Sequence, residues 1–412
     1  MLQTDVVVIG AGPAGSVAAA GLRNQGFDVL MLEKTRFPRF VIGESLLPRT
    51  NEILSKAGML EDAEAAGFII KHGAVFWQGD DRVQFNFRET SAQGWGHSWQ
   101  VPREDFDTVL ARSAAGKGAD VRYEHDVTAV DFDEDGVTVS FTDLDSGAQQ
   151  QARAKFVIDG SGYGRVLARL LDLEETSDLK YRMALFNRVT GDQRPAGDDE
   201  GYIWIVTLKQ GGWIWVIPFS NGETSVGVVA DPAVFEAEQG TDEEILRKLL
   251  LQEPSLKKRL ADMQFVWDKP RRLEGYSKGI RQLYGDRYIL TGNASEFLDP
   301  VFSSGVTVAV ESSWRAQQVV GRYLRGEEVD FEKEYADYVM SGVDAFRAYV
   351  KSWYAGDLQK IFLTNTRAEN IKKKICSVLA GYAWDETNPF ARYADQSLKS
   401  MAEMVGKGVE QA

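Results

Sequence analysis

The sequence contains very little cysteine and histidine: one cysteine, Cys376, and three histidines, His72, His97 and His125. A single cysteine cannot form an intramolecular disulfide, and the histidines do not follow the Cys/His spacing of zinc or haem sites. We therefore expect no metal site, and we expect the protein in a reducing compartment such as the cytoplasm.

Basic residues are scarce as well. The chain has 47 lysines and arginines against 61 acidic residues, for a formal net charge of −14. This balance offers little attraction to the phosphates of a nucleic acid or to an anionic lipid surface. No apolar run reaches the length of a membrane span, and Asp5 and several glycines interrupt the apolar first residues, unlike a signal peptide. We therefore expect no nucleic-acid partner, membrane span or targeting segment.

The segment TDVVVIGAGPAGSVAAAGLRNQGFDVLMLEK has the pattern of a dinucleotide site. We predict a buried strand over 5–9, a helix, and a second strand that ends at Glu33, where a carboxylate would accept ribose hydroxyls. Gly10 suits the tight turn, Gly12 the close approach of a pyrophosphate, and Gly15 the packing of the helix. A Gly-x-Gly-x-x-Gly run alone could be a chance turn, but strand, loop, helix, strand and acid in this order favour nucleotide binding.

Two later segments end predicted strands at turns that contain glycine, at Asp159-Gly160 and at Gly292-Asn293. A further helix is predicted to begin at 303–305, and its N-terminus could face a flavin ring or an anion. The next strand and helix of a simple nicotinamide domain are not evident. The pattern therefore favours FAD held as a permanent cofactor over an exchanging NAD.

These elements predict a mixed α/β fold with a Rossmann-like FAD-binding domain, an inserted antiparallel β-sheet substrate domain and a helical C-terminal region. The discontinuous FAD-binding domain would take residues 1–70, 101–175 and 275–330, the substrate domain 71–100 and 176–274, and the helical region 331–412.

The segment GYIWIVTLKQGGWIWVIPFSNGETSVGVV predicts three antiparallel strands, the first two joined by a Gly-Gly turn. Alternation puts Trp213, Trp215 and Ile217 on one face and their apolar neighbours on the other. Because both faces are apolar, we expect both to be covered. For either indole taken alone, core packing is the more usual explanation than a role in a site.

With these pieces in place, the sequence resembles the flavin-dependent halogenases, and their phenol- and pyrrole-type branch more than their tryptophan branch. The resemblance extends over most of the chain, and WxWxIP is its most specific part, because in this family it separates halogenases from monooxygenases of the same fold. It rests on GAGPAG at 10–15, GESLLP at 43–48, Lys71 in IIKHGAVF, VPREDFD at 101–107, WIWVIP at 213–218 and FLDPVFSSG at 297–305.

The resemblance implies an enzyme of secondary metabolism. Reduced FAD, oxygen and chloride or bromide would make hypohalous acid, which halogenates a small electron-rich phenol or pyrrole, free or tethered to a carrier protein. A separate flavin reductase would be a transient partner. The resemblance also implies that Lys71 is catalytic, as an ammonium that polarises hypohalous acid or as an amine that forms a haloamine. Without the resemblance, a lone lysine at this point is usually a solvated one.

Other site residues follow from the resemblance in the same way. The halide would lie against the backbone amides of Ser304 and Gly305, although Ser303 or Ser304 could instead be an ordinary helix N-cap. The pocket would be shaped by Trp213, Trp215, Ile217, Pro218 and Phe302. The cofactor would contact Gly10, Gly12, Pro13, Ala14, Gly15, Glu33, Lys34, Gly43, Ser45, Arg103, Val127, Asp159, Gly160, Gly292, Asn293, Pro300, Gly305 and Val306.

Two positions depart from the family pattern. The aspartate that usually precedes the FxDP stretch is Asn293 here, which keeps a hydrogen-bond acceptor without the charge. The glutamate that tryptophan halogenases have before the chloride loop is Phe302 here. This points to a phenol or pyrrole substrate, which can lose its own O–H or N–H proton.

Two other classes of protein stay open. The chain could be a flavin-dependent oxidoreductase of the same fold without halogenation, similar to geranylgeranyl reductases or aromatic monooxygenases. It could also be a flavin- or lipid-binding protein with no activity. Direct consumption of NAD(P)H would favour the first class, and tight FAD binding without turnover the second.

Overall fold

The computed structural model describes residues 1–275, 278–363 and 369–410, and a mostly parallel sheet lies at its centre. This parallel sheet consists, in spatial order, of Tyr284–Gly285, Tyr288–Leu290, Phe156–Asp159, Val6–Ile9, Val29–Glu33 and Asp120–Tyr123. Its neighbouring strands run parallel except for the first pair. The carboxyl ends of the parallel strands meet at one edge, where the loops with the predicted glycine turns lie.

The predicted strand, glycine loop and helix at the N-terminus are present. The strand Val6–Ile9 is buried along its length, and the helix Pro13–Asn24 has proline in its first turn, where the missing N–H costs nothing. Gly10 has a φ of +90°, and a Cβ on Gly15 would lie 1.9 Å from the carbonyl oxygen of Gly10. The loop therefore needs glycine at both positions.

The second large sheet, which we call the wall sheet, is mixed. It consists, in spatial order, of Gln264–Phe265, Met183–Thr190, Thr224–Ala230, Trp213–Pro218, Ile203–Thr207, Gly73–Gln78 and Asp81–Asn86, with Arg271–Glu274 also paired to Met183–Thr190. The three predicted antiparallel strands are confirmed. Trp213, Trp215 and Ile217 pack in the main core, whereas the residues between them pack in a separate core with the helix Asp242–Leu251. The predicted burial of both faces is confirmed.

Short strands complete the β structure. A smaller sheet contains Leu2–Gln3, Gln149–Ala154, Gly136–Asp143 and His125–Asp133, and two-stranded ribbons pair Ile69–Lys71 with Ser98–Gln100 and Glu174–Thr176 with Lys278–Ile280. Lys71 ends the short strand Ile69–Lys71, and Gly73 begins the next strand, which belongs to the wall sheet.

Helices cover the parallel sheet and form the C-terminal region. They are Pro13–Asn24, Pro48–Ala57, Leu60–Ala65, Arg103–Gly116, Val166–Leu170, Pro232–Glu236, Asp242–Leu251, Pro254–Arg259, Ser304–Leu324, Asp337–Ala355, Asp357–Leu363, Glu369–Leu379, Pro389–Arg392 and Ala394–Glu410. Pro48–Ala57 and Leu60–Ala65 are separate helices because Gly58 is left-handed, with a φ of +69°, and ends the first. No described helix is long and apolar enough to cross a bilayer.

The two large sheets draw their strands from different predicted domains. The parallel sheet takes strands from the ranges predicted for the FAD-binding domain, and the wall sheet from those of the substrate domain. The domain boundaries themselves stay a prediction. Residues 276–277, 364–368 and 411–412 of the predicted ranges lie outside the described residues.

Substitution of Gly15 by alanine tests the glycine loop. The new Cβ would overlap the carbonyl of Gly10 at 1.9 Å, and backbone cannot rotate away as a side chain can. We expect G15A to lower the unfolding temperature by roughly 4 °C or more, or to prevent folding. The control is Gly116→Ala at a helix end, where a Cβ meets nothing within 4 Å. Equal melting curves for both variants would contradict the steric argument.

Candidate functional site

A cavity of about 320 Å³ lies between the glycine loop, the residues 41–45 and the indole face of the wall sheet. We call it the main cavity. Many residues that the sequence predicted for one site meet there: Gly10, Gly12, Pro13, Ala14, Glu33, Lys34, Gly43, Ser45, Arg103, Gly160, Trp213, Trp215, Ile217, Asn293, Pro300, Gly305 and Val306. Their roles toward a ligand stay predictions.

Glu33 holds the glycine loop in shape. Its carboxylate accepts hydrogen bonds from the backbone N–H of Ala11 at 2.9 Å, and from the N–H and hydroxyl of Thr35 at 2.9 and 2.7 Å. Burial leaves it 7% exposed at the edge of the main cavity. The carboxylate therefore orders the backbone on both sides of the loop before any ligand is bound.

Two arginines share one buried carboxylate beside the glycine loop. Arg103 Nε and Nη2 donate to Asp107 at 2.8 and 3.0 Å, and Arg39 Nη1 donates to the same carboxylate at 2.9 Å. One positive charge is left over next to the N-terminus of the helix Arg103–Gly116, which is also a positive dipole end. The arrangement suits an anionic group such as the diphosphate of a dinucleotide.

The segment 43–48 carries a buried ion pair. Glu44 accepts from Arg188 Nη2 at 3.0 Å, and the same arginine also binds Glu104 at 2.9 Å. Burial raises the pKa of Glu44, and the arginine opposes this shift. This network ties the segment to the wall sheet and fixes its next residue, Ser45, at the cavity.

The indole of Trp213 is held by a chain of hydrogen bonds. Trp213 Nε1 donates to the hydroxyl of Tyr354 at 3.2 Å, and this hydroxyl donates to Asp299 Oδ2 at 2.7 Å. The N–H of Val301 donates to Asp299 Oδ1 at 3.1 Å. The chain therefore connects the wall sheet, the helix Asp337–Ala355 and the FLDP loop. Burial raises the pKa of Asp299 to about 6.

The second indole is anchored separately, because Trp215 Nε1 donates to Ser225 Oγ at 3.0 Å on the neighbouring strand. The two indole rings lie 5.9 Å apart, tilted by 48°. Both are buried in the core, and both also line the main cavity. Each indole therefore packs in the core and lines the pocket, two roles that the sequence presented as alternatives.

The helix Ser304–Leu324 begins at the main cavity. Ser303 is left-handed, with a φ of +57°, and among the described residues no side chain caps the helix. Ser303 thus takes the N-cap position that the sequence left open, but without the side-chain hydrogen bond of an ordinary cap. Ser303 and Gly305 line the cavity, whereas Ser304 is buried beside it. Uncapped amides at a helix N-terminus attract an anion.

Lys71 does not line the main cavity. It is 1% exposed, its Nζ donates to the carbonyl of Leu46 at 2.8 Å, and Nζ lies 5.3 Å from the ring centre of Phe87. The lysine therefore reaches the segment 43–48 from behind, next to Ser45. Burial, with no carboxylate to oppose it, lowers the pKa of the Lys71 amine well below its ordinary value.

Two residues predicted to contact a cofactor have other partners. Asp159 is fully buried, and its carboxylate accepts from the backbone N–H groups of Ser161 at 2.9 Å and Leu167 at 2.7 Å. Val127 lies on the strand His125–Asp133 of the smaller sheet and is buried in the core beside Phe141. Neither residue lines the main cavity.

Four other predicted residues also lie outside the lining of the main cavity: Gly15, Gly292, Pro218 and Phe302. Phe302 packs instead in an aromatic cluster, with ring centres 6.4 Å from Phe76, 5.9 Å from Tyr349 and 6.0 Å from Trp353. It stands between the helix entrance and the C-terminal helices. Phe302 would therefore shape the pocket through its packing against these rings, without lining the pocket itself.

The sequence is similar to known proteins along most of its length. A family model described as "FAD binding domain" matches residues 3–330. The 1H-pyrrole-2-carbonyl-(peptidyl-carrier protein) brominase of Pseudoalteromonas luteoviolacea is 31% identical over 327 residues, 79% of each chain. The corresponding chlorinase of Pseudomonas fluorescens is 30% identical over 380 residues, 85% of this chain and 83% of that one. The chain belongs to the FAD-dependent halogenases.

Among solved structures, this halogenase-family chain is similar to a flavoprotein/dehydrogenase from Cytophaga hutchinsonii. The TM-score is 0.95 and the identity 44%, with 98% of this chain and 99% of that chain covered. The shared fold therefore extends through the C-terminal helices.

The main cavity fits FAD on its own chemistry. Ser45 Oγ and Asn293 Oδ1 are buried at the cavity without a hydrogen-bond partner among the described residues, and such atoms call for a polar ligand. The glycine loop and Arg103 would hold the diphosphate, and Glu33 the ribose. Ser45, Asn293 and the indole face would hold the ring and its chain.

The raised pKa of Asp299 predicts a pH-dependent stability. Between about pH 4 and pH 6 the carboxyl is neutral in the folded protein and ionised in the unfolded one, so stability falls as pH rises, by about 3 kcal/mol in all. Asp299→Asn removes the ionisation and keeps an acceptor for Tyr354. We expect its melting temperature, relative to the wild type, to rise from pH 4 to pH 7. The control is the same substitution at the exposed Asp81. A difference between D299N and the wild type that does not change with pH would contradict this.

Asn293 offers a test of cofactor binding. If its side-chain oxygen accepts a hydrogen bond from FAD, Asn293→Ala weakens FAD binding by about 5- to 30-fold, the value of one buried hydrogen bond. Titration of the flavin fluorescence measures the affinity. The control is Asn221→Ala in an exposed turn. The same FAD affinity in both variants would show that the orphaned oxygen does not serve the cofactor.

Proposed function

We propose that this member of the halogenase family halogenates an electron-rich pyrrole or phenol, presented on a carrier protein, with reduced FAD from a separate flavin reductase. The observation that carries the proposal is the meeting of the glycine loop, the paired indoles and the uncapped helix entrance at one cavity. The two relatives named for carrier-bound pyrrole substrates support the substrate class and its presentation. The cytoplasm is the proposed location.

Bound reduced FAD would supply the electrons with which oxygen and a halide yield hypohalous acid. The protein's part is to hold the halide and to exclude water. The amides of Ser304 and Gly305 begin a helix without a side-chain cap, so they can donate to chloride or bromide. Trp213 and Trp215, fixed by hydrogen bonds, close the cavity on the wall-sheet side.

Lys71 would carry the halogen to the substrate as a haloamine. Its lowered pKa favours the neutral amine, which is the nucleophilic form. The amine nitrogen takes the halogen from hypohalous acid, and the displaced hydroxide leaves as water with an amine proton. The substrate ring then takes the halogen, and the ring proton that is lost restores the amine. The contact with Leu46 would have to open for this step, since Lys71 lies behind the segment 43–48.

The aromatic environment of position 302 supports a pyrrole or phenol. Phe302 is surrounded by aromatic rings and offers no base to a carbon-bound proton. A pyrrole or phenol can first lose its N–H or O–H proton, which neutralises the cationic ring intermediate, and aromaticity returns when the carbon-bound proton is then lost and the nitrogen or oxygen regains a proton.

A second candidate is a flavin-dependent oxidoreductase that does not halogenate. The similarity to a flavoprotein/dehydrogenase at 44% identity and the burial of Lys71 outside the cavity lining favour it. In that case the purified protein would oxidise NADH or NADPH directly, without a reductase.

Lys71→Met tests the proposed function, because methionine keeps the buried volume and removes the amine. Enzyme, FAD, reductase, NADH, oxygen and bromide are incubated with pyrrole-2-carbonyl carrier protein, and mass spectrometry detects the bromine isotope doublet. We expect the doublet from the wild type and at least a 100-fold loss in K71M, with FAD binding retained. The control is Lys399→Met on an exposed helix face.

Three other outcomes would redirect the assignment. Hydroxylated or reduced product in place of the doublet favours the second candidate. An undiminished doublet in K71M keeps the halogenase and removes Lys71 from the chemistry. Bromination of free phenols or pyrroles, without bromination of the carrier-bound pyrrole, contradicts the proposed presentation.

A further inference from the structure

A second cavity, of about 610 Å³, lies behind the tryptophan face of the wall sheet. Its wall is formed by the Gly211-Gly212 turn, by Arg182, and by Trp353 and Tyr354 at the end of the helix Asp337–Ala355. Tyr354 also holds the indole of Trp213, which lines the main cavity, so the two cavities share this layer of side chains. The volume falls in the usual range for small-molecule sites.

The charge of the second cavity that bears on a ligand is that of Arg182. The other charged lining residues are Asp231 and Lys360, and Lys360 is paired with Asp357 at 3.3 Å. The carboxylate of Asp231 lies 3.5 Å from Arg182 and is 60% exposed, so water screens this pair strongly. An anion would therefore be favoured at the Arg182 side of the cavity.

Several polar atoms in the wall of the second cavity are buried without a hydrogen-bond partner among the described residues. Arg182 Nε, Thr207 Oγ1 and Gln359 Oε1 have no hydrogen-bond partner among the described residues, and all three residues line the cavity. Such groups cost free energy until a ligand or a small side-chain rotation satisfies them. A polar ligand in the cavity could satisfy all three, because they share one space.

The aromatic part of the wall is arranged for a flat ring. The guanidinium of Arg182 stacks at 4.7 Å from the ring centre of Tyr354, which orients its donors along the cavity. Trp353 contributes an indole whose far side packs on Phe76 and Phe302. We propose that the second cavity binds a small aromatic carboxylate, with the carboxylate on Arg182 and the ring against Trp353.

Benzoate and benzamide test this site, since they differ in charge and hardly in shape. Both are titrated calorimetrically into the FAD-loaded protein, so that the main cavity is occupied. We expect benzoate to bind more tightly than benzamide. Arg182→Gln should weaken benzoate binding at least tenfold and change benzamide binding less than threefold, because it removes a charge-assisted pair. Arg182→Lys should restore part of the affinity.

A second variant locates the ligand independently. Gln359→Glu adds a carboxylate to the wall from a half-buried helix position and should also weaken benzoate binding about tenfold. The control is Arg247→Gln, since Arg247 also stacks on a ring, at 4.7 Å from Phe265, but does not line the cavity. Absence of saturable benzoate binding to the wild type, or an affinity unchanged in R182Q and Q359E, would overturn the proposal. The test uses no halogenation, so it fails or succeeds independently of the proposed function.

Discussion

The strand Trp213–Pro218 must be buried on both faces, and the rest of the site depends on this constraint. One face closes the main cavity with indoles, and the other packs on the helix Asp242–Leu251. Removing the packing on either face of the strand would expose a full row of apolar side chains to water. The strand is therefore rigid enough to hold its indoles at fixed positions, and each indole N–H has found an acceptor. Water exclusion at the cavity follows from the same packing.

Buried charged groups connect the loops beside the main cavity to the helices and sheets. Arg103 and Arg39 share Asp107 beside the glycine loop, and Arg188 joins the segment 43–48 to the wall sheet through Glu44. Such pairs contribute little net stability, since desolvation offsets their attraction. Breaking one would, however, leave a buried charge unpaired. For the segment 43–48 they add to the backbone hydrogen bonds that Glu44 and Leu46 make with Val101 and Trp99.

The sequence predicted well those features that depend on local chain geometry. The glycine loop, the hairpin before Trp213 and the start of the helix at Ser304 follow from turn chemistry and apolar period within a few residues. The partners of Trp213 did not follow, because Tyr354 lies 141 residues away and its helix has the ordinary aromatic spacing of a core element. The direction of the Lys71 side chain could not be predicted for a related reason. The strand ends at Lys71, and the side chain reaches the carbonyl of Leu46 behind the segment 43–48.

The central claim is that the main cavity brings a flavin and a halide together at the entrance of the helix Ser304–Leu324. Crystals of the FAD-loaded protein grown in sodium bromide, with diffraction data collected at the bromine absorption edge, test it directly. The account predicts an anomalous peak at hydrogen-bond distance from the amides of Ser304 and Gly305, on the cavity side facing Trp213. A bound flavin without such a peak, or a bromide only at surface arginines, would contradict the claim.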